Sequence, residues 1–365
     1  MSRIIVPLML AATLPLTRLA AQVPPADPGQ RSEPAPLFAS NDLLVMTLEA
    51  PFKTTLDDRG EDREDHPAVL RYEDPEAGPL SLEVEIRVRG NFRAQSRNCR
   101  FPPLRLDVKR GEVEGTVFAG QNRIRIVTHC QDRGSDPNRY VLHEYLAYRV
   151  YNLLTDLSVR VRLARITYVD TERDQEPFTR YAFFVEDYGQ VAVRNGWEVL
   201  EVPLMPPSQI DPAHLALYEV FQYMIANTDW SVAFKEDDEE FCCHNTIMVG
   251  TMVGPVFPVP FDFDWAGVVD APYARPDPML GIRTVRQRRF WGVCKPREVL
   301  ESAFPLFNQK REEIYDLYRR QEGLEEDQVR RSLEFYDEFY ETINDGNKVR
   351  SRMMEDCRMV GRGEE

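Results

Sequence analysis

Apolar and polar positions alternate through Leu82, Val84, Ile86 and Val88, with Glu83, Glu85 and Arg87 between them. This period of two predicts a half-buried strand that Gly90 ends. Residues 104–108 and 124–126 repeat the pattern, and 161–169 and 180–185 read as further strands. Between them, residues 140–154 switch to helical spacing, with Leu142, Leu146, Val150 and Leu153 on one stripe. Strands, one helix and more strands predict a β-rich α+β region over 38–188. Beyond Gly189 the pattern turns helical. Asp211 and Pro212 give an N-cap and first-turn proline for a helix to about residue 226, striped by Leu217, Val220, Phe221 and Met224. From residue 297 onward the chain is charged and helical, with apolar positions at Tyr315, Leu317, Tyr318, Leu333, Phe335, Tyr336 and Phe339.

One apolar run carries charge. Asp262 and Asp264 lie inside Pro260-Phe261-Asp262-Phe263-Asp264-Trp265. On a strand over 256–263 they would share one face and form a twin-carboxylate edge. Carboxylates in such surroundings need a cation or a donor beside them, and hard oxygen ligands suit Mg²⁺, Mn²⁺ or Ca²⁺. A surface turn capped by the two aspartates is the bland alternative. Upstream stand Asp229, at the end of the predicted helix, and Asn245, at the start of an apolar run. An aspartate, then an asparagine, then a strand-end aspartate is the order used in phosphoryl transfer.

Composition narrows the field. The chain has 365 residues and a formal charge of −15, which excludes a broad nucleic-acid footprint. Arg3, the apolar stretch 4–16 and Ala20-Ala21 predict a signal peptide over 1–21, hence a secreted or periplasmic protein. A Pro-rich linker over 22–37 follows. No later run is long enough for a transmembrane segment. Six cysteines agree with export; Cys99 with Cys130, and Cys242 or Cys243 with Cys294, are the expected pairs. A zinc site at Cys242-Cys243-His244 has the wrong ligand spacing.

Val88-Arg89-Gly90-Asn91, Phe101-Pro102-Pro103-Leu104-Arg105-Leu106, Val141-Leu142-His143-Glu144-Tyr145-Leu146-Ala147-Tyr148, Phe184-Val185-Glu186-Asp187, Asn227-Thr228-Asp229, His244-Asn245 and Asp262-Phe263-Asp264 occur in that order. Together they resemble the spore-coat protein H family of kinase-like proteins, over residues 43–267. The resemblance implies a bilobal protein-kinase-like α+β fold, with a β-rich N-terminal lobe over 38–188 and a mainly helical C-terminal lobe over 189–365. It implies ATP, Mg²⁺ or Mn²⁺ and an exported protein substrate. Carried over, Asp229 is catalytic, Asn245 and Asp262 are metal ligands with Asp264 in support, and Glu186 lies at the adenine-side hinge.

The chain departs from the pattern in places. Phe261 replaces a tryptophan, and an acidic insertion over 235–240 separates Asp229 from Asn245. Lys53 and Lys109 are the only lysines of the β-rich region, and neither falls where a phosphate-binding base belongs. Arg100, Arg105 and Arg125 are the basic substitutes, with Arg105 assigned to the cofactor. Glu144 reads as a helix-surface residue, and Trp230, Phe263 and Trp265 as core. A non-catalytic secreted binding or envelope-structural protein is the alternative. A metal-dependent glycosyltransferase is a third reading, which requires a doubly wound α/β sheet before the motif.

Overall fold

The computed structural model describes residues 32–131, 136–233 and 241–359. The expected signal peptide and the acidic insertion lie outside these residues. Strands β1 (Leu44–Ala50), β2 (His66–Asp74), β3 (Gly78–Val88), β4 (Leu104–Asp107), β5 (Arg123–Val127), β6 (Val161–Asp170) and β7 (Phe178–Val185) close into a barrel, in the order β1-β2-β3-β4-β5-β7-β6. The alternation read from the sequence points Leu82, Val84, Ile86 and Val88 of β3 inward. Leu48, Leu104, Leu106, Ile126 and Phe184 meet them in the barrel core. Two short helices, α1 (Pro36–Ala39) and α2 (Phe52–Asp57), flank β1 and bury Leu37, Phe38 and Phe52 in the same core.

This barrel corrects the expected fold class. A bilobal protein-kinase-like fold has an open sheet in its β-rich lobe. Here β1 pairs in parallel with β6, from Leu44 opposite Ala164 to Ala50 opposite Asp170, and the sheet closes on itself. Seven mixed strands in a closed barrel, joined to a helical region, replace the expected architecture. A doubly wound α/β sheet is also not what precedes the aspartates.

Helix α3 (Arg139–Leu154) leaves the barrel after β5 and is buried almost all round, His143 and Glu144 included. It lies between β6 and β7 on one side and α7 (Phe304–Arg319) on the other. Helices α4 (Tyr188–Arg194), α5 (Pro212–Met224), α6 (Arg297–Glu301), α8 (Glu326–Ile343) and α9 (Gly346–Val349) complete the helical region. Asp211 accepts a hydrogen bond from His214 N at 2.8 Å and Pro212 opens α5, as the sequence predicts. Tyr318, Tyr336 and Phe339 of α7 and α8 share a core with Val220, Phe221 and Met224 of α5, so the charged C-terminal helices belong to the main body. A small antiparallel sheet of β8 (Glu198–Val199), β9 (Thr246–Gly250) and β10 (Val256–Pro260) sits beside them.

The six cysteines form three pairs at disulfide distance. Cys99 pairs with Cys130 as expected. Cys242 pairs with its neighbour Cys243, and Cys294 with Cys357, which replaces the expected bond from Cys242 or Cys243 to Cys294. Among the described residues, no helix is long and apolar enough to cross a membrane.

Candidate functional site

The end of α5 sets the first half of the site. Ala226 turns the chain at φ 53°. Buried Asn227 then accepts from Asp229 N at 3.0 Å and donates to Gln222 Oε1 at 3.0 Å. Trp230 Nε1 donates to the Asn227 carbonyl at 3.0 Å. The turn is held on every side, so the Asp229 carboxylate has a fixed direction. His244 Nε2 lies 3.2 Å from Asp229 Oδ1. Asn245 Nδ2 donates to Asp229 O at 2.8 Å and to Oδ2 at 2.9 Å. The sixteen-residue sequence gap between Asp229 and Asn245, counted as 245 − 229, therefore closes to direct contact. That amide nitrogen is committed and the backbone carbonyl accepts from Phe261 N at 3.1 Å, so the side-chain Oδ1 of Asn245 is its ligand atom for a cation.

Asp262 and Asp264 form the second half, by a different route from the expected one. Strand β10 ends at Pro260, and Asp262 sits at φ 58° in a loop, so the two carboxylates do not share a strand face. Asn245, at φ 51°, is left-handed as well. Asparagine and aspartate tolerate this region better than other side-chain-bearing residues, and such backbone collects at functional sites. Asp262 N donates to the Tyr148 hydroxyl of α3 at 2.7 Å, and Tyr273 OH donates to Asp264 Oδ2 at 3.0 Å. After Asp264 the backbone runs hard against the end of α5. Gly267 N donates to Ala226 O at 3.0 Å, and a Cβ on Gly267 would stand 2.8 Å from Ala226 Cβ.

Arg93 joins these groups. It follows β3 on a loop fastened by the Cys99–Cys130 bond and by Arg59, which donates to the carbonyls of Ala94, Cys99 and Arg100 at 3.2, 2.7 and 2.7 Å. The Arg93 guanidinium reaches Glu144 at 3.1 Å, Asp262 at 2.6 Å and Asp264 at 3.3 Å. Glu144 is therefore a buried partner on α3, not a surface residue.

Three carboxylates around one guanidinium leave negative charge uncompensated. Burial pushes Glu144 up to about 7, against the pull of Arg93 and with a further push from Asp262. Burial also holds Asp264 well above the usual carboxylate range, opposed by Arg93 and reinforced by Asp262, Glu144 and Asp229. Arg93 is held above its ordinary value by the same three acids, although burial opposes this. Glu144 Oε1 is buried and has no hydrogen-bond partner among the described residues. The surplus charge, the orphaned oxygen and the oxygen donors of Asn245, Asp262 and Asp264 fit a hard divalent cation.

Two predicted residues lie elsewhere. Glu186 is buried in an ion pair with Arg194 at 2.8 Å and accepts from Arg160 N at 2.9 Å, so its side chain is structural. Its backbone carbonyl accepts from Arg125 Nη2 at 2.6 Å. The Arg125 guanidinium lies 3.4 Å over the Tyr188 ring, whose centroid is 4.7 Å from that of Phe261. Arg105 sits on the outer face of β4 and binds Asp65 at 2.6 Å and Asp107 at 2.7 Å, away from Arg93 and its acids. Among the described residues, the one trio of acids with ligand atoms within 4.8 Å of one another is Asp65, Glu85 and Asp107 on the barrel. Arg105 and Arg87 already neutralise it.

Sequence reasoning missed Arg93. Its one signal was its place in the Gly90-Asn91 loop, three residues beyond the glycine. His244, which the sequence offers only in a zinc candidate of the wrong spacing, stands instead against Asp229. Trp230 and Phe263 are core, as expected, and Trp265 is partly buried. No family model matches the chain, and no curated protein matches it.

Proposed function

We propose that the protein is an exported phosphotransferase that uses ATP and Mg²⁺ or Mn²⁺ to modify a hydroxyl on a protein substrate. One observation carries this reading: Asp229 with Asn245, and Asp262 and Asp264 with Arg93 and Glu144, come from separate segments into two adjoining clusters, tied by Phe261 N donating to Asn245 O at 3.1 Å, with negative charge in surplus. The ordered resemblance to the spore-coat protein H family supports it.

Asp229 is the group to receive the acceptor hydroxyl. His244 and Asn245 hold its carboxylate, so little reorganisation accompanies the reaction. Arg93 fixes the directions of Asp262, Asp264 and Glu144. Asn245, Asp262 and Asp264 would hold the divalent ion, which when bound neutralises charge on the phosphates. Arg89, one residue after β3, lies within electrostatic reach of Asp262. Burial, with Arg125 and Arg93 nearby, holds it below the ordinary arginine value against the pull of Tyr188 and Asp262, and it makes no side-chain hydrogen bond among the described residues. It is the basic residue best placed for a phosphate, in the role first assigned to Arg105.

Calorimetry tests the reading. ATP with Mg²⁺ or Mn²⁺ is titrated into the wild type and into Asp262→Ala. Metal-dependent binding that disappears in the variant is expected. A folded wild type that binds ATP with neither ion refutes it. A non-catalytic binding protein is the second reading, favoured by the Arg125–Tyr188–Phe261 stack, which already occupies the Glu186 carbonyl. Under that reading Tyr188→Ala gains no nucleotide binding.

A further inference from the structure

The polar groups behind Asp229 close into a circuit of hydrogen bonds. Tyr218 and Gln222 lie one turn apart on α5, so their side chains share a face. Gln222 Oε1 accepts from Asn227 Nδ2 at 3.0 Å, and Gln222 Nε2 donates to the Tyr218 hydroxyl at 3.0 Å. The Tyr218 hydroxyl meets Oγ1 of Thr246, the first residue of β9, at 2.7 Å. Thr246 Oγ1 in turn donates to the His244 carbonyl at 3.1 Å. His244 Nε2 faces Asp229 Oδ1 at 3.2 Å, and Asp229 N donates to Asn227 Oδ1 at 3.0 Å, which completes the circuit. Asp229 is thus gripped at both ends. The turn after α5 holds its backbone, and the segment that opens β9 holds its carboxylate.

The circuit runs in one direction. Thr246 spends its proton on the His244 carbonyl, so the Tyr218 proton goes to Thr246 and Tyr218 must accept from Gln222. A glutamine meets that demand because its amide accepts at one atom and donates at the other. Tyr218, Gln222, Asn227 and Thr246 are at most 3 % exposed, so bulk water does not reach the circuit. Packing alone does not call for these residues. Apolar side chains of the same volume would fill the same space without desolvating polar groups. What the circuit adds is direction. It fixes β9 against the end of α5, and that relation sets the Asp229 carboxylate against His244 and Asn245.

We propose that Gln222 and Tyr218 are positioning residues: they touch no substrate and hold the Asp229 carboxylate in register with His244 and Asn245. Their effect on a rate rests on the phosphotransferase reading of Asp229, but their effect on the site is measurable without any transfer.

The test uses Gln222→Met, Tyr218→Phe and the double variant. Methionine keeps the length of the glutamine, and phenylalanine keeps the aromatic contact with Trp230, so each opens the circuit at one place with little change in volume. Tyr340→Phe is the control. It removes another buried hydroxyl, which donates to the Phe307 carbonyl in the helical core. In ¹⁵N spectra of the disulfide-intact chain without nucleotide, the Asn245 side-chain amide signals are expected to move in Gln222→Met and in Tyr218→Phe, and to stay in place in Tyr340→Phe. ADP release from ATP, with Mg²⁺ and dephosphorylated casein as acceptor, gives the rates. In each single variant kcat is expected to fall about 10–100-fold, with KM for ATP within about threefold of the wild type. One cut already opens the circuit, so the double variant is expected to be no slower than the slower single variant. Unmoved Asn245 signals, an unchanged kcat in the single variants, losses that multiply in the double variant, or an equal loss in Tyr340→Phe overturns the proposal. Unmoved signals in a chain that forms ADP remove the positioning role and keep the phosphotransferase. Moved signals in a chain that forms no ADP keep the hold on Asp229 and remove the phosphotransferase.

Discussion

Replacing Arg93 with methionine keeps most of the side-chain volume and removes the one guanidinium that touches Glu144, Asp262 and Asp264. The side chains of Arg93, Glu144 and Asp264 are 9, 4 and 6 % exposed, so water cannot take its place. Deleting one partner of a buried ion pair leaves uncompensated charge and costs roughly 3–5 kcal/mol. Against a total stability of about 5–15 kcal/mol, that is a large share. The cost must depend on pH. Glu144 is already raised to about 7 with Arg93 in place, and Asp264 is raised too. Without the guanidinium both rise further. An acid whose folded value exceeds its unfolded one binds more protons in the native state, so stability falls as pH rises through the window between them. At pH 8 the variant should lose about 3–5 kcal/mol, and at pH 5, where Glu144 and Asp264 take up protons, about half of that or less. Urea unfolding followed by circular dichroism at the two pH values measures both losses. A penalty equal at pH 5 and pH 8, or below about 1 kcal/mol at pH 8, refutes the charge argument.

Other expectations follow from the same packing. Gly267→Ala places a Cβ 2.8 Å from Ala226 Cβ and 2.9 Å from Arg286 Cα, so stability should fall by at least about 1–3 kcal/mol in a denaturant titration, with nucleotide binding weakened as Asp264 shifts. Burial lowers the ordinary value of 6.5 to about 4 for both His143 and His214. Each is neutral in the native state, so its stabilising contribution is complete above pH 6.5 and is lost as pH falls toward 4, by about 3 kcal/mol at roughly 1.4 kcal/mol per pH unit. Glu144 acts in the opposite sense over part of that range, so the clean measurement is the difference in pH slope between the wild type and His143→Phe, whose acid loss should be smaller. Replacing Cys294 and Cys357 with serine should cost about 2–4 kcal/mol, read as a lower thermal midpoint with the barrel's far-ultraviolet signal intact at room temperature.

Much of the local structure was legible in the sequence. The alternation of Leu82 to Val88 gave β3 and its inward face, and Asp211-Pro212 gave the start of α5. Both signals are short-range, set by side-chain period and by capping. Closure of the barrel was not legible, because β1 finds β6 across more than a hundred residues and neither strand carries a local mark of that pairing. The same limit applied to the site. Asp229, Asn245, Asp262 and Asp264 could be named from their order. Arg93 could not, since its importance comes from a loop that carries it onto α3 and the Asp262 segment. Glu144 was misjudged for a related reason. Helical periodicity identifies one buried stripe, whereas α3 is covered by the barrel on one side and by α7 on the other. The shared strand face fails because β10 stops at Pro260 and Asp262 takes a left-handed backbone in the loop beyond it.

The parallel closure of β1 on β6 also governs how the chain comes together as it is made. Strand β1 can zip to β2 almost at once, since Met46 and Tyr72 are close in sequence. Its other edge waits for Ala164, 120 residues after Leu44, counted as 164 − 44. At a synthesis rate of roughly 5–20 residues per second, that edge stays bare for about 6–24 s. A bare strand edge is a template for a second chain. The barrel's seam is thus a hazard of timing rather than of the finished molecule, and a pause in elongation between β5 and β6 should raise the yield of aggregate without altering the stability of the chains that do close.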